Sequence, residues 1–219
     1  MSVARAPARF AIAGAVVLAA AWLGPLPALA RQSFAAHMTM HMAVVAIACP
    51  LLALGLAGTR FDPLRGRVGG ARAVLFSPYV ASALEFVVVW AWHAPGLHHL
   101  ARHSVGALVA EQASFFAVGA LVWVSAFGGG SAARDRAAAG VGGLLMTSMH
   151  MTLLGVLLAL AGRPLYAHGG ATPFGLSALQ DQHVGGVVML TVGGFAYLAG
   201  ALWLLASLLR ERRAGVADA

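Results

Sequence analysis

A chain built from successive apolar runs of about 20 residues has few folds open to it, because in a bilayer only helices and closed barrels satisfy every backbone polar group. Runs of that length occupy roughly residues 34–56, 73–92, 104–127, 137–161 and 184–209. Their composition agrees: 60% of residues are hydrophobic and 10% charged, where a soluble domain carries about 25% charged residues. The expected fold is all-α, a polytopic helical membrane bundle.

The first 30 residues have two readings. Arg5 and Arg9 precede an apolar core over 10–23, and Ala28-Leu29-Ala30 closes the segment. That describes a cleavable signal peptide, and equally a short first span. The bundle therefore has about six transmembrane helices, or five after cleavage. Residues 1–30 form the N-terminal helix or signal peptide, 31–213 one membrane domain, and 214–219 a short tail.

The net charge of +7 and pI of 11.3 do not point to nucleic acid. The basic residues are all arginines, and they lie at the ends of the apolar runs. Eleven fall on one set of alternate connections and three (Arg31, Arg102 and Arg163) on the other. Positively charged loops stay on the cytoplasmic side, so both termini of the full chain point inward. The expected location is a membrane with the arginine-rich connections on its cytoplasmic side. Cys49, the only cysteine, lies deep in an apolar run and reads as an inert buried thiol. Gly140, Gly142, Gly143, Gly185, Gly186, Gly193 and Gly194 read as close helix contacts.

Polar residues inside the runs carry the functional signal, since each is costly in lipid. The second run opens with His37, Met38, Met40, His41 and Met42. Spacing of three and four puts His37, Met40 and His41 on one stripe, with Met38, His41 and Met42 on an overlapping one. Imidazole with thioether suits copper, and thioether favours Cu(I). Met146, Met149 and His150 repeat the pattern in a later run. Glu85 and Glu111 are the carboxylates within the spans, and Asp181, His183 and His93 lie at span ends. These five are expected to orient imidazoles or pass protons. His41, Glu85, Glu111 and His150 are expected to converge in one layer of the outer half. The alternative is structural: methionine as core filler, and carboxylates paired with histidine as glue. His98, His99 and His103 are expected in an exposed outer loop, where solvated histidine is usual, and His168 in a second outer loop.

With these residues placed, the chain resembles the CtaG family of multi-spanning bacterial assembly proteins for the caa-type cytochrome c oxidase. The resemblance rests on His37-Met38-x-x-His41-Met42 followed by Pro50 and Gly55, and on Trp92-His93-x-Pro95. It continues through Glu111-Gln112-Ala113-Ser114-Phe115, Arg163-Pro164-Leu165-Tyr166, Leu176-Ser177 and Asp181-Gln182-His183-x-Gly185-Gly186. The chain departs from the pattern where members commonly carry Glu-His and this one has Glu111-Gln112. Many members also have seven spans. The family implies assembly of a haem–copper oxidase, with copper delivered on the outer face and no catalysis. It implies oxidase subunits and other copper chaperones as partners. Two readings compete on the residues alone. Haem b could be held between histidines such as His41 and His150, and buried Glu and His could serve a metal- or proton-coupled transporter.

Overall fold

The computed structural model describes residues 5–66, 68–129, 133–166 and 172–217, and every regular element among them is helical. Arg67 and His168 lie outside the described residues. The chain runs through α1 (Arg5–Leu23), the short α2 (Leu26–Ala30) and α3 (Phe34–Met42), which passes through a π-helical segment (Ala43–Ala48) into α4 (Cys49–Leu56). After α5 (Gly70–Leu75) come α6 (Pro78–His93), α7 (Pro95–His103), α8 (Val105–Phe127) and α9 (Ala133–Ala159). The last rod is α10 (Ala178–Val188), a second π segment (Met189–Gly193) and α11 (Gly194–Ala217). Each of the six expected apolar segments carries helix, but fewer than six are candidate spans. Four are long and apolar enough to cross a membrane, and a fifth is added if α6 and α7 count as one broken span. The apolar part of α1, Pro7–Leu23, is a shorter apolar helix than these. Large apolar side chains face outward around the bundle, Leu23, Leu160 and Phe195 among them. On a membrane protein that surface meets lipid.

Two expectations about the third run change, both because of proline. The run over 73–92 breaks at Ser77, which Pro78 holds extended (ψ 127°), so α5 and α6 are separate. Pro95 holds Ala94 extended (ψ 134°) and then starts α7 at its first turn. The stretch read as an exposed loop is therefore a helix, bent by 72° from α6.

Neighbouring rods alternate in direction. Gly14 packs on Leu52 and Gly55 on Ala11, so α1 and α4 are antiparallel. Gly155 meets Leu190 and Gly140 meets Leu204, so α9 opposes the last rod in the same way. Both described termini accordingly lie at one end of the bundle, and α2 and α7 at the other. The closest of these contacts is to backbone: a Cβ on Gly186 would stand 2.4 Å from Ala159 N and 2.9 Å from its Cα. Neither helix can yield there without parting. Gly186→Ala is expected to cost about 1–3 kcal/mol or more, seen as a lowered unfolding temperature in detergent. An unchanged melt would show that the two helices are not packed this closely.

The first π segment has an identifiable role. Cys49 N–H reaches back five residues to Val44 O, which leaves Val45 O without its usual helical donor. Trp123 Nε1–H of α8 fills the gap at 2.8 Å. The extra residue thus ties α3–α4 to α8 one turn below His41, in a position where π-bulges often mark functional sites.

Candidate metal centre

The site begins with how α3 is started. Ser33 caps it, its Oγ accepting from Ala36 N at 3.2 Å. The buried Asp181 carboxylate of α10 then accepts from Ser33 Oγ and Phe34 N, both at 2.6 Å, and from Ala35 N at 3.4 Å. A carboxylate is stabilised at a helix N-terminus, where unsatisfied N–H groups and the helix dipole converge. Asp181 was expected to orient an imidazole; instead it sets the position of α3. His183 corrects in the same direction, with Nε2 paired to Ala161 O at 2.8 Å just beyond α9.

One turn into α3, His37 meets side chains from two other helices. His37, His98 of α7 and Glu111 of α8 are all buried, and each offers one ligand atom within 4.8 Å of the other two. His37 Nε2 lies 3.6 Å from Glu111 Oε1, and the His37 and His98 rings are 4.9 Å apart between centroids. Gln112, at the position where the chain departs from the family's Glu-His, supports the carboxylate. Its Nε2 donates to Glu111 Oε2 at 3.4 Å while its Oε1 accepts from Trp22 Nε1 at 3.3 Å. Such outer partners orient the groups that hold an ion. Two imidazoles and a carboxylate converging in this way match the donor types that borderline divalent metals and copper accept.

His98 is the residue that sequence reasoning missed. Placed in a loop it has no reason to be buried; placed on α7 it faces inward while His99 and His103 face out. The signal was Pro95 directly after His93-Ala94, which starts a new helix rather than a loop. A reciprocal pair of contacts holds α7 down: Arg31 Nε donates to Arg102 O at 3.0 Å, and Arg102 Nη2 donates to Arg31 O at 2.6 Å.

Tyr166 closes the group from its end of the bundle. Its ring stacks on Phe34 at 4.4 Å and lies 4.4 Å from His98, and its hydroxyl donates to His93 O at 2.7 Å. Burial pushes its phenol above the ordinary value, so it remains a donor. Tyr166→Phe is expected to lower stability by about 1 kcal/mol, the net worth of one hydrogen bond, measurable as a small melting shift. A loss several times larger would mean that the ring position depends on the hydroxyl.

Further in, His41 of α3 packs against Phe115 (4.0 Å) and His93 (5.7 Å). His93 Nδ1 pairs with Val89 O of its own helix at 2.6 Å.

Several expected ligands lie elsewhere. Met38 and Met42 are buried on the side of α3 that faces the last rod, Met38 against Gly185 and Met42 Sδ against Gly193. Met149 is 66% exposed on the outside of α9, and Met146 is half-buried. His150 is buried with its ring 5.5 Å from Phe86, whereas the ring neighbours of His41 are His93 and Phe115. Glu85 pairs with Tyr197 of α11, accepting from its hydroxyl at 2.6 Å beside a Thr147–Ser82 hydrogen bond of 2.8 Å. The expected single layer of His41, Glu85, Glu111 and His150 is thus divided. Glu111 belongs to the His37 group, and Glu85 to a separate network lined by α6, α9 and α11.

Fold and site together define a polytopic helical membrane protein with a buried, metal-capable His/His/Glu group at one end. The chain belongs to the cytochrome c oxidase caa3 assembly factor family (Caa3_CtaG), whose profile matches residues 3–211. It is an assembly factor of cytochrome c oxidase. No curated protein and no solved structure matches the chain.

Proposed function

We propose that this assembly factor handles copper for its oxidase, as cargo held by His37, His98 and Glu111. The observation that carries the reading is the convergence of three buried donors, from three different helices, within 4.8 Å. His37 Nε2 and Glu111 Oε1 face each other at 3.6 Å, close enough for both to reach one cation, and a buried charge is retained where it is paired or coordinates a metal. Copper is favoured because, for a given nitrogen and oxygen site, Cu(II) stands highest in the divalent series. The donor set contains no sulfur, so it does not select Cu(I) as the adjacent thioethers would have done. The role is non-catalytic: the group binds and releases an ion. The arginine asymmetry supports a bacterial inner membrane protein with this end of the bundle on the outer side, where oxidase subunits and copper chaperones can reach it.

The test is metal analysis of the detergent-purified full chain with a paired measurement in cells. The wild-type protein should carry copper. The His37→Ala/His98→Ala double variant should lose it, and cells bearing that variant should build oxidase deficient in copper. A folded double variant that keeps copper at unchanged affinity and supports full oxidase activity would overturn the proposal.

A further inference from the structure

We propose that His41 and His93 form a second metal station, taking one Cu(I) ion, directly inward of the His37–His98–Glu111 group. The inference rests on the reading of that outer group as a copper station and adds a site to it. Both residues are buried, His41 fully and His93 to 5% exposure. A backbone carbonyl only accepts, so the 2.6 Å contact of His93 Nδ1 with Val89 O places the ring hydrogen on Nδ1. Nε2 then carries the lone pair, and it has no hydrogen-bond partner among the described residues. That arrangement, one ring nitrogen tied to a carbonyl and the other free, is how ligand histidines are held. His41 is barer still, with neither ring nitrogen hydrogen-bonded among the described residues. Buried polar nitrogens are nearly always satisfied, so two such rings side by side call for a shared partner.

Their spacing suits an ion. With metal–nitrogen bonds of about 2.0–2.1 Å, two imidazoles on one ion bring their centroids to roughly 5–6 Å. The His41 and His93 centroids are 5.7 Å apart. The charge argument selects the ion. Both ligands are neutral, Phe115 packs on His41 at 4.0 Å, and the desolvation cost of an ion rises with the square of its charge. A monovalent soft cation is therefore favoured over Cu(II) or Zn(II) here, while the outer group has a carboxylate to balance a second charge. His37 borders both stations, its ring 4.9 Å from His98 and 6.4 Å from His93.

The test is sequential anaerobic loading of the detergent-solubilised full chain with Cu(II), for the outer group, and then Cu(I), for the inner pair, each against a competing chelator, with total bound copper counted per chain. Wild type should bind two ions. His93→Gln, which keeps a donor for Val89 O, and His41→Ala should each bind one, held by the outer group. The His37→Ala/His98→Ala variant should also retain one, and X-ray absorption should show that ion with nitrogen ligands alone. One ion in wild type, lost in His37→Ala/His98→Ala and unaffected by His93→Gln or His41→Ala, would overturn the second station and leave the outer one standing. One ion lost in every variant would mean a single shared site and would also overturn it. No bound copper in wild type would overturn both readings. Well-resolved melting of each variant confirms that the counts refer to folded protein.

Discussion

Asp181→Ala should destabilise the protein by roughly 3–6 kcal/mol, the scale of two charge-assisted hydrogen bonds at about 1.5–3 kcal/mol each. The carboxylate is fully buried and takes two bonds of 2.6 Å from Ser33 Oγ and Phe34 N. Its loss strands a hydroxyl and a backbone N–H at the start of α3, away from water. Asp181→Asn keeps one acceptor and should lose about half as much, by the same scale. The effect should also appear at the metal group, because His37 is one turn from the cap. Thermal unfolding in detergent reads the first consequence and copper affinity the second. An Asp181→Ala protein that melts like wild type would show that the start of α3 is held by other contacts.

Exchanging the thioethers should matter far less than exchanging the imidazoles. Met38→Leu with Met42→Leu keeps volume and polarity close to the original, and both side chains pack on glycines of the last rod. Copper affinity of that variant should be unchanged and its melting temperature nearly so, since volume-conserving swaps cost little. Removing His37 or Glu111 deletes a donor from the group and should weaken binding by more than the roughly 10–100-fold that loss of an outer partner costs. Gln112→Ala, which frees the Glu111 carboxylate to swing, should fall within that 10–100-fold range. Chelator competition on the purified variants gives all four affinities. A large loss in the methionine variant with no change in Glu111→Gln would return the binding site to the thioether face of α3.

Membrane, helices and alternating direction were legible in the residue order because they rest on local rules. Apolar run length sets the spans and arginine placement sets their ends, and neither depends on which helices are neighbours. His37 and Glu111 were legible as polar residues in apolar helices, which must face inward whatever the packing. Which inward residues meet was not legible. A helix presents several buried faces to several neighbours, and the same α3 turns His37 toward α7 and α8 while it turns Met38 and Met42 toward the last rod. A hundred degrees between consecutive residues is enough to send them to different partners. Asp181, 148 residues from Ser33 in the chain, could be assigned to the cap only once α10 lay beside α3. His98 was decided by the 72° bend at Ala94-Pro95, which folds a surface helix back over the bundle and makes an exposed-looking histidine the third member of a buried group.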